Sequence, residues 1–468
     1  MNERHFPWQY ILIAGLTVVF TVLGLRVGIL WDNVLFVSKT GTYLYEHGLL
    51  SWFDMPVRVH SAHPYLCGTY YAAMWHLFGR SLLVSHLVTI PIIIGVLYQL
   101  WQLCCFFLEE EKQRYAALLL MCANPTLCSH CVQAGQELFI LFFTLYALNA
   151  ILRQEQLHKA IALCFLPLFS LRAMMLCAGL FFTEWGVCAI RKERFWTIQR
   201  IGAYAGGLIL SVTYLFMRYA VFSGEPTKVG IDYFSYTSMA QILYTFARNI
   251  VILVWRFIDF GQVTVFIVIG LLLLRHKETL RETKVRLLLL CAIMPTGVIG
   301  LTSIFSMNPM GHHYFLPAFV ICIFLAFYLL RYARKRKLVY GLLLCSLLAG
   351  NLIVYPEHIS QGWNNSLAHL PYWSIRRQAI HEMNERHIPL EQTASFFPNA
   401  CANDLVELNG DQRSFCAFTG EEEYVFYSSC YNPGDEEIDI LHTQYNPLFT
   451  YRRGLVFVQV LQRADSTP

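Results

Sequence analysis

Side chains able to do chemistry recur where apolar runs give way to polar sequence. Asp32 follows the first apolar run directly, and Asp54 comes later in the long polar, aromatic-rich stretch Trp31–Gly79, which also holds His60, His63 and His76. A carboxylate at the edge of an aqueous cavity can accept a proton from a hydroxyl nucleophile; the plainer role for Asp32 is a helix-end charge. Glu137, after the turn NPTLCSHCVQAGQ, is a second such carboxylate with the same plainer role. Arg172 interrupts the oily sequence LFSLRAMML. At the centre of a span it would cost roughly 2.5–3.5 kcal/mol. The run before it is too short to cross alone, so the residue count places Arg172 between two short segments at a membrane surface. A guanidinium there suits an oxyanion such as phosphate, or it snorkels to lipid headgroups. MGHHYFLP puts His312, His313 and Tyr314 at the start of a late apolar run. Adjacent histidines point different ways on a helix, so at most one faces a shared cavity. Arg256 and Asp259, three apart, predict a mutual ion pair.

These groups need a membrane to position them. Of the 468 residues 56% are hydrophobic and only 14% charged, against roughly 25% charged in soluble chains, and mean hydropathy is +0.45. The net charge of +4 comes from cations gathered in short loops, a sign of topology and not of nucleic-acid binding. The first apolar run, near twenty residues behind a basic flank, predicts a retained signal anchor. Many of the fifteen cysteines lie inside oily runs as small apolar residues. The pair Cys128 and Cys131 is better read that way than as half a metal site. Cys401, Cys416 and Cys430 lie in the polar tail, where an oxidising compartment would permit one bridge.

Span length and basic loops predict an all-α polytopic membrane protein of about eleven transmembrane helices. The first is expected over 9–30, the second over 82–107, the third over 115–129 and the fourth over 138–152. Two closely spaced segments, 160–170 and 173–190, precede spans over 201–221 and 250–274. The last three begin near Leu287, Tyr314 and Leu338. With a cytoplasmic N-terminus, the basic loops near 112, 153, 191, 275 and 331 share one side. The polar segments 31–81 and 222–245 then fall on the other, with the tail. Residues 1–355 form the expected membrane domain, with interfacial helices in the outer loop 31–81, among them His63–Ser81. Residues 356–468 form a small extracytoplasmic α+β domain, in which 375–387 predicts a helix and 421–430 and 454–461 predict strands.

The order of these features resembles the GT-C superfamily of membrane glycosyltransferases. It is most similar to the branch holding protein O-mannosyltransferases and bacterial aminoarabinose transferases. The likeness rests on a first span ending in Asp32 and on His63-Pro64-Tyr65-Leu66 leading to WHLFGRS. It also rests on an outer Asn124-Pro125 turn followed by Glu137, Arg172 beside a short fifth segment, and HHYFLP at His312–Pro317. It spans residues 10–330. It implies that Asp32 is the catalytic base or lies beside it, and that Glu137 takes the place of an aspartate common after the turn. His63, Arg172, His312, His313, Tyr314 and Asp54 are the implied substrate-binding residues. A second acid, common after the first, is Asn33 here.

The chemistry has its own logic. Glycosyl transfer from a polyprenyl-phosphate sugar needs a base for the acceptor, whereas the leaving phosphate is already a stable anion and calls for cations. Asp32 would be the base, with Arg172 and His313 as phosphate partners. No cofactor is demanded; a divalent metal is left open. The expected partners are a polyprenyl-phosphate sugar donor, a lipid, glycan or protein acceptor, and membrane lipids, with no nucleic acid. A transporter or flippase of lipid-linked saccharides is the alternative. Transporters tend to carry internal repeats, and none is visible.

Overall fold

In the computed structural model, which describes residues 8–56, 59–61, 63–222, 234 and 236–464, one helix forms the axis of the bundle. It runs from His312 to Tyr332, opening as a 3₁₀ turn (His312–Phe315) and continuing as α-helix (Leu316–Leu329), and nearly every residue is buried. A helix apolar on all sides belongs at the centre of a bundle. Around it, Leu82–Phe107, Leu171–Arg191, Ile198–Val221, Met239–Ile258 and Thr283–Ser303 are also long and apolar enough to cross a bilayer. Ile198–Phe222 keeps Leu208, Ile209 and Phe216 exposed, a face suited to lipid. Trp8–Gly24, Gln156–Leu168 and Val263–Arg275 are apolar but shorter. Length and apolarity therefore support several spans without fixing the number at eleven.

Two expected segments are broken, each for a local reason. The third, expected over 115–129, is two helices, Glu111–Cys122 and Pro125–Val132, bent by 75°. Pro125 has no N–H to continue the ladder, and Asn124 stands extended before it, capping the second piece by accepting from Leu127 N at 2.9 Å. The span expected over 250–274 is likewise two helices, Met239–Ile258 and Val263–Arg275. Between them Gly261 takes φ +75° and lies so close to Ser346 that a Cβ would meet its carbonyl oxygen at 2.1 Å. With Asp259 extended past the helix end, the predicted Arg256–Asp259 pair does not form. Asp259 instead accepts from His312 Nε2 at 2.8 Å, from Phe260 N at 2.7 Å and from the Tyr355 hydroxyl, while Arg256 Nε donates to Met310 O at 2.9 Å. The first helix ends at Gly24, so Asp32 stands beyond an irregular stretch and not directly at a helix end.

The tail carries a five-stranded sheet. Its strands are β1 (Thr393–Ser395), β2 (Cys416–Ala417), β3 (Tyr424–Ser428), β4 (Tyr445–Arg453) and β5 (Val456–Arg463), in the order β2-β1-β3-β5-β4. β1 runs parallel to both its neighbours, and β3, β5 and β4 are antiparallel. Helix Leu370–Glu385 packs on β4 and β5. Arg80 clamps this region to the membrane part, donating through Nη1 and Nη2 to Asp404 at 3.0 and 2.7 Å. Gly28 is bare for the same reason: a Cβ there would meet the Trp373 ring at 2.2 Å. All fifteen cysteines are free thiols, Cys401, Cys416 and Cys430 among them. Of the polar segment 222–245, residues 223–233 and 235 lie outside the described residues.

Candidate active site

Three helices begin at one place. Glu137 is the first residue of Glu137–Arg153, Arg172 the second residue of Leu171–Arg191, and Tyr314 belongs to the turn that opens Leu316–Leu329. Helix starts expose unsatisfied N–H groups and the positive end of the helix dipole. Convergence of such ends favours an anion. The local sequence dictates these starts: Ser170 accepts from Ala173 N at 3.0 Å as a cap, and Pro317 sits at the first turn where its missing N–H is harmless.

Arg172 binds the cluster together. Its Nη2 donates to Glu137 Oε1 at 2.5 Å, and its guanidinium lies over the Tyr314 ring, 4.1 Å from the centroid. Both partners of the ion pair are largely buried, at 11% and 7% exposure. Nη1 of Arg172 is buried with no hydrogen-bond partner among the described residues. A buried guanidinium nitrogen left bare is costly in the absence of a ligand, and a guanidinium nitrogen is chemically suited to an oxyanion.

Asp32 faces the same charges. It is only part-buried, yet protein surrounds it closely enough that desolvation, followed by repulsion from Glu137, pushes its carboxyl up to about 6 against the pull of Arg172. The chain reaches it through a strained turn. Trp31, which is not glycine, takes φ +58°, and its ring packs edge-on to Phe397, 5.6 Å between centroids. Directly after Asp32 comes a π-helical segment, Val34–Lys39. Left-handed non-glycine residues and π-helical turns both concentrate at functional sites. Asn33, where a second acid was anticipated by resemblance, donates to Gln133 Oε1 at 3.3 Å and fits only because Gly135 is bare. A Cβ on Gly135 would stand 2.5 Å from Asn33 Oδ1.

His63 supplies a neutral donor. Burial, then the charges of Arg172 and Arg218, push its imidazole down to about 3. Its Nδ1 accepts the Leu171 N–H at 3.3 Å, so the proton of the neutral ring sits on Nε2. The ring stands edge-on to Phe36, with 5.0 Å between centroids.

His313 and His312 diverge, in keeping with their adjacency. His313 Nδ1 pairs with Asn365 Oδ1 at 3.3 Å, and its ring meets His130 at 5.6 Å and Tyr314 at 4.8 Å. His312 turns away to Asp259. Asp54 is exposed in a bend, its carbonyl accepting the Tyr43 hydroxyl at 2.8 Å, and does not join the cluster.

Sequence reasoning missed several neighbours. Arg218 acts electrostatically on His60, His63 and Tyr65, and its Nε is buried without a partner among the described residues. It is a lone cation near the end of an apolar run, the signal that singled out Arg172, and the same test would have found it. Asn364, Asn365, Ser366 and His369 come from the tail. Gln133 donates to Asn364 O at 3.0 Å, Ser129 donates to Ser366 O at 3.1 Å, and His369 Nε2 lies 3.3 Å from Ser129. No local pattern marks these. Among the described residues no group of three His, Cys, Asp or Glu side chains could hold a metal ion. Asp32 and Glu137 offer two carboxylates, one already committed to Arg172, so the donor set does not fit a divalent metal and none enters the steps below.

No family model and no curated protein sequence matches this chain. Two solved structures are similar in three dimensions. ArnT from Cupriavidus metallidurans bound to undecaprenyl phosphate superposes with a TM-score of 0.54 and 13% identity, over 98% of this chain and 98% of that one. The apo state of the same protein gives a TM-score of 0.54 and 12% identity, over 97% and 98%. The likeness covers the tail as well as the helices. It shows that the chain has the fold of ArnT.

Proposed function

We propose that this protein, built on that fold, is a membrane glycosyltransferase that takes a sugar from a polyprenyl-phosphate donor and passes it to a hydroxyl of a lipid, glycan or protein acceptor. One observation carries the reading: a buried arginine with an unpartnered nitrogen, set where three helices begin and facing a carboxylate whose proton affinity is raised. The solved ArnT complex with undecaprenyl phosphate supports the donor class.

In the proposed step Asp32 accepts the acceptor hydroxyl proton as the oxygen attacks the anomeric carbon. The bond from that carbon to the phosphate oxygen breaks, and its electron pair leaves with the phosphate. Arg172 meets the developing charge through Nη1, the helix starts add their dipoles, and His63 Nε2–H donates a further hydrogen bond. Glu137 acts on Arg172, fixing its guanidinium by the 2.5 Å bond so that Nη1 keeps its direction. His313 and Tyr314 form the wall behind the guanidinium. The site lies at helix starts near a membrane surface, where a donor whose lipid tail stays in the bilayer can enter sideways. The proposed setting is the cell membrane, with the N-terminus cytoplasmic and the site and tail on the outer face.

The test is mass spectrometry of lipid retained by the purified full-length protein, followed by an assay of sugar transfer from a polyprenyl-phosphate sugar in detergent. Retained polyprenyl phosphate together with transfer in the absence of a second compartment supports the reading. Donor binding with translocation in vesicles and no transfer would move the protein to the transporter class.

A further inference from the structure

The bundle has a recess at the opposite end from the carboxylate site. His312–Tyr332 carries Tyr314 at its start. Its far end, about 30 Å away at 1.5 Å per residue, borders a cavity of about 610 Å³. Phe107, Leu108, Ala116 and Phe327 give this cavity an apolar floor between helices. Its rim is net cationic, with Lys112, Lys284, Arg331, Arg336 and Lys337 against the two carboxylates Glu109 and Glu110. Beside it a second recess of about 540 Å³ is lined by the run Arg331–Leu338, which adds Arg334 and Lys335.

The charges are not all consumed internally. Arg331 pairs with Glu282, and Lys284 lies 3.9 Å from Glu109 while donating to Phe107 O at 3.0 Å. Lys112, Arg336 and Lys337 are exposed and form no ion pair among the described residues. One helix, Arg336–Gly350, begins at the rim with no side-chain cap and no acid in its first turn; the other, Glu111–Cys122, starts behind Glu109 and Glu110 and has its own anion in Glu111. The first N–H groups of Arg336–Gly350 are therefore open to an anion. Basic loops alone serve topology and need no cavity. An apolar floor beneath a net cationic rim with the uncapped start of Arg336–Gly350 is a site for a molecule with a phosphate at one end and a hydrocarbon chain at the other.

We propose that this cavity binds the phosphate headgroup of an anionic phospholipid, with an acyl chain along the Phe107–Phe327 floor. The site is independent of the glycosyl-transfer reading, because it shares no residue with it and lies at the opposite end of His312–Tyr332. The same phosphate chemistry could come from a soluble phosphate ester, so the test separates the two.

Full-length protein in detergent is titrated with phosphatidylglycerol, phosphatidylcholine and glycerol 3-phosphate, and binding is read by native mass spectrometry. The double variant Arg336→Gln/Lys337→Gln is compared with Arg336→Lys; both replace exposed side chains. Phosphatidylglycerol is expected to bind at least tenfold more tightly than phosphatidylcholine. The double variant should lose about fivefold per charge removed, and Arg336→Lys should bind as the parent does. Equal binding of the two lipids, or unchanged phosphatidylglycerol binding in the double variant, would mean ordinary lipid solvation and overturn the proposal. Glycerol 3-phosphate binding as tightly as phosphatidylglycerol would overturn the lipid assignment in favour of a soluble phosphate ester.

Discussion

Arg172 and Glu137, 35 residues apart, meet at 2.5 Å at the first turns of two different helices. The bond commits one guanidinium nitrogen to a carboxylate and leaves Nη1 buried and bare. A buried pair of this kind contributes little net stability, but removing one partner strands the other at roughly 3–5 kcal/mol. Its value lies in direction: the carboxylate holds a cation still while another face of that cation stays available.

Arg172→Lys should fold, because the charge opposite Glu137 survives. It should bind a polyprenyl phosphate roughly tenfold to hundredfold more weakly, the equivalent of one charge-assisted hydrogen bond. Arg172→Ala should lose both donor binding and thermal stability. Unchanged donor affinity in a folded Arg172→Lys protein, measured by titration, would remove the arginine from the donor site.

Asp32 predicts a pH profile. As a base it acts in the ionised form, and its carboxyl titrates at about 6. Transfer should therefore rise with pH through about 6 and level off above 7. Asp32→Asn should lower turnover by roughly 10²–10⁴, abolish that rising limb, and leave donor binding little changed. An intact limb in the variant would assign the titration to another group.

Gly135 carries no chemistry, yet its replacement should impair turnover. In Gly135→Ala the new methyl would meet the Asn33 amide at 2.5 Å and push the residue next to Asp32. A shift near 1 Å costs roughly 10²-fold in rate, with the fold retained. Asn33→Ala in the same background removes the obstruction and should recover most of the loss, which circular dichroism and turnover together would reveal.

The Arg80–Asp404 clamp predicts how the tail responds to acid. Burial raises the Asp404 carboxyl, but hydrogen bonds from Arg80 and from Gly410 N outweigh it and hold it below 3.8. An acid depressed in the folded state contributes stability above its unfolded value, and that contribution is lost as pH falls through the folded one. Tail docking should therefore be intact at neutral pH and weaken only below about 4. Arg80→Met should loosen it at pH 7, seen as faster hydrogen exchange in residues 403–410; equal exchange would show that apolar packing alone holds the tail.

The sequence determined what solvation and local sterics determine. Oily runs with basic loops between them specify a helical membrane bundle, because charges cannot stay in hydrocarbon. The second span, expected over 82–107, is found over Leu82–Phe107, and the strands expected in 421–430 and 454–461 are β3 and β5. Arg172 stood out because a lone cation in apolar sequence needs a reason. The tertiary structure decided whom each charge meets. Spacing paired Arg256 with Asp259, but a helix end between them removed the geometry and gave Asp259 to His312, 53 residues away. Only packing brought Asn365 of the tail to His313 and Arg218 within electrostatic reach of His63. Short-range preferences act through neighbouring residues and are written in local sequence. Long-range partners are chosen by which helix starts converge once the bundle has packed.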